Sequence, residues 1–91
     1  MNNKETKVWL INGYSQDFGH ILAEKLLQNG DLLVATSSQP EELNELLVKY
    51  PENVFAVRSR RRNKKASIST AIKEGEAKFG HIDVFINNVA S

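Results

Sequence analysis

Near its N-terminus the chain reads Val8-Trp9-Leu10-Ile11-Asn12-Gly13-Tyr14-Ser15-Gln16-Asp17-Phe18-Gly19, an apolar run followed by a polar segment with a glycine near each end. A helical pattern follows, which carries Phe18, Ile21, Leu22, Leu26 and Leu27 on one stripe and ends at Asn29-Gly30. A strand that passes through glycines into a helix is typical of loops that hold a phosphate at a helix N-terminus. The segment therefore predicts the start of an α/β nucleotide-binding fold.

The rest of the sequence continues the alternation of strands and helices. Further apolar runs predict strands at Leu32 to Ala35, Val54 to Val57 and Val84 to Ile86. A second helical pattern opens at Pro40 and stops before Tyr50-Pro51, and a third carries Ile68, Ile72, Gly75 and Phe79 and ends at Gly80. Continuous apolar strands joined through helices indicate parallel strands with right-handed crossovers. We therefore expect one Rossmann-like domain over residues 1–91, an incomplete doubly wound fold of three layers with four strands in the order 3-2-1-4 and three helices.

The composition excludes several classes of protein. An apolar fraction of 41% with 25% charged residues is ordinary for a globular domain. The absence of cysteine excludes disulfides and thiolate metal sites, and His20 and His81 lack ligand spacing to each other, so no metal is expected. No apolar run approaches the ~18 residues that a membrane span requires. A soluble cytoplasmic protein without a membrane partner is the resulting expectation.

The positive charge of the chain is concentrated in one short run. Half of its 12 basic residues are Arg58, Arg60, Arg61, Arg62, Lys64 and Lys65. Three interpretations of this run are open: a solvated loop before the third helix, a patch for a cofactor 2′-phosphate or for nucleic acid, and sequence decay or an altered reading frame. Nucleic acid is an unlikely partner, because no aromatic residue interrupts the run to stack on a base.

These residues resemble the short-chain dehydrogenase/reductase family over Lys7 to Ser91, which corresponds to about the first third of a usual member. The family's opening motif Thr-Gly-x-x-x-Gly-x-Gly is matched at Gly13 and Gly19. Its Asn-Asn-Ala-Gly motif reads Asn87-Asn88-Val89-Ala90, after a typical lead from Lys78 to Val84. The resemblance implies a nicotinamide dinucleotide as partner and an NAD(P)-dependent oxidoreductase as the class of activity.

The resemblance also implies a set of cofactor-binding residues. They are Gly13, Ser15, Phe18 and Gly19 around the pyrophosphate, Ser37 and Ser38 near the adenosine ribose, and Asn88, Val89 and Ala90 on the ribose and adenine side. For each glycine or serine alone, a turn glycine or a capping serine is the plainer interpretation. Tyr14 is expected to be an exposed loop residue, whereas Trp9 and Phe85 are expected in the core.

Two features bear on the choice and strength of cofactor binding. The second strand ends in the neutral sequence Thr36-Ser37-Ser38-Gln39, with no acid to hold an NAD ribose, so NADP(H) is slightly favoured over NAD(H). Asp17 stands where the family has its middle glycine, and we expect it to cap the helix N-terminus. Its charge would impair binding, because a like charge ~4 Å away costs on the order of 4 kcal/mol at an effective dielectric of 20.

The family's catalytic Tyr-x-x-x-Lys pair does not occur in these 91 residues. The residues four positions after Tyr14 and Tyr50 are Phe18 and Val54. We therefore expect a cofactor-binding half of a short-chain oxidoreductase, truncated before its catalytic residues and without turnover on its own. The alternative is a non-catalytic interaction or scaffold module, or a remnant, that associates with itself or with a full-length relative through the exposed edge of Val84 to Ile86. The substrate is not encoded in this sequence.

Overall fold

The computed structural model describes residues 6–59 and 64–88. Its strands are β1 (Val8–Asn12), β2 (Leu32–Ser37), β3 (Val54–Arg58) and β4 (Val84–Asn87). The helices are α1 (His20–Gln28), a short 3-10 helix (Pro40–Leu43) that leads into α2 (Asn44–Lys49), and α3 (Lys64–Phe79). All the strand pairs are parallel and the order is β3-β2-β1-β4. The predicted Rossmann-like fold is confirmed.

Every strand extends beyond its predicted apolar run, and always at its carboxyl end. The added residues are polar or charged: Asn12, Thr36 and Ser37, Arg58, and Asn87. The parallel ladder continues through them, because Asn12 pairs with Thr36 on one side and with Asn87 on the other. An apolar pattern cannot detect these positions, and they form the edge of the sheet from which the loops leave.

The helices cover the sheet on both faces. On one face α1 and the segment from Pro40 to Lys49 pack against Ile11 and Leu33, mainly through Ala23, Leu26, Leu43 and Leu46. On the other face α3 packs against Leu10 and Val34. Gly75 permits this close approach, because a Cβ atom there would lie 2.9 Å from Val34 Cγ2. None of the helices in the described ranges has the length and apolar character that crossing a membrane requires.

Three apolar residues that the sequence pattern placed on a helix stripe or in the core are exposed, namely Ile21, Phe85 and, at 36%, Ile72. Ile21 is 72% exposed, because the buried positions of α1 are Ala23, Leu26 and Leu27 and a residue two places before Ala23 lies on the opposite side of the helix. Phe85 is 47% exposed because β4 has β1 as its neighbour on one side and lies at the edge of the described sheet. Trp9 is half-buried, and its indole N–H donates to Asp31 Oδ2 at 3.1 Å.

Candidate functional site

The candidate site lies at the carboxyl ends of β1 and β4, where the strand order reverses and open α/β sheets form a crevice. Here Gly13 follows β1 and Asn88 follows β4. The Asn88 side-chain amide donates to the Gly13 carbonyl oxygen at 3.2 Å. Gly13 has a φ of 89°, and a Cβ atom on it would lie 3.0 Å from Asn88 Cβ. The left-handed backbone and the close approach both require glycine at this position.

A chain of hydrogen bonds connects the ends of three strands at this site. The Gly13 N–H donates to Thr36 Oγ1 at 2.9 Å, and the Thr36 hydroxyl donates to Asn12 Oδ1 at 2.7 Å. The Asn12 amide donates in turn to Asn87 Oδ1 at 2.8 Å. The Thr36 carbonyl oxygen also accepts from the Tyr14 N–H at 2.8 Å. Because Thr36 is fully buried, this chain fixes where the loop leaves β1.

The loop from Tyr14 to Gly19 closes on itself before α1 begins. The Phe18 N–H donates to Ser15 Oγ at 3.0 Å, and the Ser15 N–H donates to the Phe18 carbonyl oxygen at 3.0 Å. The accepting Ser15 hydroxyl retains its own O–H as a donor. Gly19 is the N-cap of α1 with a φ of 92°, and no side chain caps this helix. The first-turn N–H groups of α1 therefore have no side-chain partner from a cap.

The structure corrects two expectations about this loop. Asp17 does not cap α1, since the N-cap is Gly19, and its side chain is exposed in the preceding turn. Tyr14 is not exposed but 2% accessible, with its hydroxyl 3.1 Å from Nδ1 of His20, the first residue of α1. Burial raises the pKa of the Tyr14 phenol, and the nearby carboxylates of Glu42, Glu45 and Glu24 raise it further.

The predicted ribose-side serines have different surroundings. Ser37 is buried, and its hydroxyl donates to the Gln39 carbonyl oxygen and accepts from the Gln39 N–H, each at 3.1 Å. Ser38 is exposed beside it. Arg58, at the end of β3, pairs in register with Ser37 and is also exposed. Val89, Ala90 and Arg60 to Arg62 lie outside the described residues.

A carboxylate also contacts the glycine loop directly. The Gln16 N–H donates to Glu42 Oε1 at 2.9 Å, and the Gln16 side-chain amide lies 3.4 Å from the Glu42 carbonyl oxygen. Nothing in the sequence pattern indicated Glu42, Thr36 or Asn12 as organising residues, although Asn12 and Thr36 are polar residues that continue apolar strands. Within the part of the chain that the structure describes, no three His, Cys, Asp or Glu side chains are grouped to hold a metal ion.

Comparisons with known proteins identify relatives of this chain. The chain is 43% identical over 84 residues to Oxidoreductase BOA17 of Botryotinia fuckeliana (strain B05.10), which covers 91% of this chain and 30% of that protein. It is 32% identical over 79 residues to the NADP-dependent 3-hydroxy acid dehydrogenase YdfG of Salmonella typhi, covering 87% of this chain and 32% of the relative. The chain thus spans about a third of the length of these curated relatives.

A solved short-chain dehydrogenase from Streptomyces avermitilis superposes with a TM-score of 0.81 at 31% identity, over 92% of this chain and 31% of that one. The model of the family described as short chain dehydrogenase matches residues 7–91, which include the glycine loop, the sheet and the Asn87-Asn88 strand end. The chain belongs to the short chain dehydrogenase family.

Proposed function

We propose that the chain is the nicotinamide-dinucleotide-binding portion of a short-chain oxidoreductase. The observation that carries the proposal is the meeting of the carboxyl ends of β1 and β4 where the strand order reverses, with Gly13 in a left-handed conformation against Asn88. Glycine at this position allows the tight turn after β1 to lie close to the end of β4, which is the role of the first glycine in a dinucleotide-binding loop. The start of α1, without a side-chain cap, offers N–H groups and a helix dipole to a pyrophosphate.

Different residues would contact different parts of the cofactor. Gly13, Ser15, Phe18 and Gly19 would surround the pyrophosphate, Ser37 and Ser38 the adenosine ribose, and Asn88, Val89 and Ala90 the ribose and adenine side. The Ser15 hydroxyl accepts the Phe18 N–H and would donate its own proton to a phosphate oxygen, whereas buried Ser37 would act by shaping the turn that presents Ser38. A bound nicotinamide would supply hydride transfer, and these residues would bind and orient it.

NADP(H) is the cofactor that we favour over NAD(H). The β2 end has no acid to bond a ribose 2′-hydroxyl, and exposed Arg58 lies in register with Ser37 one strand away. A relative at 32% identity carries NADP dependence in its name. The proposal covers binding alone, because the 91 residues contain no Tyr-x-x-x-Lys pair, and we do not expect turnover from them by themselves.

The first test is a thermal melt of the purified chain, followed through the fluorescence of Trp9, its single tryptophan. Millimolar NADPH should raise the midpoint, and NADH should raise it less, because a ligand that binds the folded state stabilises it by mass action. A cooperative melt that neither cofactor shifts would refute the binding proposal. A larger shift with NADH would refute the preference alone.

Asp17 provides a sharper version of the same test. Its exposed carboxylate in the glycine loop opposes an anionic ligand, so Asp17→Gly and the isosteric Asp17→Asn should tighten NADPH binding by at least about tenfold. Glu52→Gln is the matched control, because it removes the same charge from an exposed residue before β3, at the opposite end of the sheet. Equal affinity for NADPH in the wild type and all the variants would show that Asp17 does not oppose cofactor binding.

A second candidate function is supported by the edge of the sheet. Phe85 is 47% exposed on β4, whose neighbour in the described sheet is β1 alone. An apolar edge strand with unpaired backbone groups is a template for strand addition, so the chain would act as a non-catalytic module that pairs with a second copy of itself.

Sedimentation velocity at increasing concentration tests this candidate. Phe85→Lys should shift a dimer towards monomer, whereas Val48→Lys, at an apolar residue of α2 that is 81% exposed, should not. A wild-type chain that sediments as a monomer throughout would rule out self-association.

A further inference from the structure

Glu42 is the acidic residue that hydrogen-bonds the glycine loop. Its carboxylate accepts the Gln16 N–H at 2.9 Å, and its backbone carbonyl lies 3.4 Å from the Gln16 side-chain amide. The two residues are 26 positions apart, so the contact joins two separate elements of the fold. Backbone N–H groups of glycine loops are ordinarily available to phosphate oxygens, and here a carboxylate of the chain itself holds one of them.

The position of Glu42 places its charge between the two halves of the proposed site. It lies in the 3-10 helix that follows Gln39, and Gln39 is bonded to Ser37 at the end of β2. Through Gln16 it also contacts the loop that follows β1. A ligand that contacts both the glycine loop and the end of β2 would therefore lie near this carboxylate.

On the basis of the proposed function, we infer that Glu42 reduces the preference of this site for NADP(H) over NAD(H). Its carboxylate positions the loop through the Gln16 N–H, and its negative charge opposes the extra phosphate of NADP(H) more than it opposes NAD(H). The neutral end of β2 and exposed Arg58 favour NADP(H), and Glu42 makes the difference in affinity between NADP(H) and NAD(H) smaller.

The surrounding charges are consistent with this role. Glu24 on α1 is paired with Lys49 at 3.1 Å, which offsets its charge. No described Lys, Arg or His side chain forms an ion pair with Glu42. Burial raises the pKa of the Tyr14 phenol, and the nearby Glu42 carboxylate raises that pKa further.

The decisive experiment compares Glu42→Gln with Glu41→Gln in the full 91-residue chain. An amide oxygen still accepts the Gln16 N–H, so Glu42→Gln removes the charge and keeps the bond. Exposed Glu41 is the neighbouring residue and loses the same charge without a bond to the loop. Dissociation constants for NADPH and NADH are measured by titration calorimetry at low salt, with the Gln16 amide followed by NMR.

We expect Glu42→Gln to tighten NADPH by roughly tenfold and NADH by less, so that the ratio between the two changes. Glu41→Gln should leave that ratio near the wild-type value. Glu42→Ala, which loses the acceptor as well, should move the Gln16 amide resonance further than Glu41→Gln does.

Three results would overturn the inference. One is an unchanged NADPH-to-NADH ratio in Glu42→Gln while the wild-type chain binds both cofactors. Another is an equal change of the ratio in Glu41→Gln. The third is an absence of binding in every variant, including Glu42→Gln, which would also overturn the proposed function and is distinguished from the first two by the wild-type titration.

Discussion

Replacing Gly13 with alanine tests the geometry on which the site depends. Gly13 has a φ of 89°, and a left-handed backbone costs a residue with a Cβ roughly 1–2 kcal/mol. The new Cβ would lie 3.0 Å from Asn88 Cβ and 3.3 Å from the Asn88 carbonyl oxygen. Forcing such a contact adds about 1–3 kcal/mol. Gly13→Ala should therefore lower the free energy of unfolding by about 2–5 kcal/mol.

Two glycines of the same chain serve as matched controls. Gly30 and Gly80 have φ values of 92° and 95°, and a Cβ on either would meet nothing within 4 Å. Their alanine variants incur the same backbone cost, and gain the same reduction in unfolded-chain entropy, without the contact. The difference between Gly13→Ala and these controls then isolates the approach to Asn88.

Urea unfolding followed by Trp9 fluorescence measures the difference. For a small domain with a slope of about 1 kcal/mol per molar urea, the Gly13→Ala midpoint should fall at least about 1 M below those of the controls. A double-mutant cycle with Asn88→Gly, which removes the opposing Cβ, should recover most of that excess. A Gly13→Ala midpoint equal to the controls, or no coupling in the cycle, would refute the claimed approach of the two loops.

Two other predictions concern side chains that accept backbone N–H groups. Thr36→Val keeps the shape of a fully buried side chain but leaves the Gly13 N–H and Asn12 Oδ1 without their partner, so it should cost about 1–3 kcal/mol in urea unfolding, and Thr36→Ser should cost less. Asp83 has a lowered pKa, because its carboxylate accepts the Val8 N–H at 2.8 Å and is helped by His81. Its contribution to stability is complete above the ordinary pKa of 3.8 and is lost as the pH falls through the lower folded value. Asp83→Asn should flatten that acid limb in midpoints measured from pH 6 to pH 2; a limb as steep as in the wild type would contradict the assignment.

The fold could be predicted from the sequence because apolar periodicity and glycine positions constrain it strongly. Continuous apolar runs such as Leu32 to Ala35 indicate parallel strands that helices cover on both faces of the sheet. The stripe on α1 was partly misread, because Ile21 and Leu22 are adjacent and periodicity alone does not say which of them faces the sheet. Phe85 was placed in the core for a related reason, since an apolar edge strand reads like a central one.

The sequence analysis assigned glycines, serines and asparagines among others to the candidate site, and their role in cofactor binding stays a prediction. Gly13 and Asn88 were both assigned to the cofactor, and the structure brings them into contact. The bonds from Thr36 to Gly13 and from Glu42 to Gln16 join residues 23 and 26 positions apart, so they depend on strand register and on how the segment after β2 folds back. No local sequence pattern indicates which of these distant residues come into contact.

These contacts change the way an anion would be held. Within the loop, the N–H groups of Gly13, Ser15 and Gln16 are already bonded to Thr36, Phe18 and Glu42. A pyrophosphate at this loop would therefore depend on the start of α1 and on the Ser15 hydroxyl rather than on the whole loop. Because fewer N–H donors are available to bind the phosphate, the repulsion from each nearby carboxylate is a larger part of the binding free energy. On the proposed function, the single charges of Asp17 and Glu42 would then affect both whether a dinucleotide binds and which one binds.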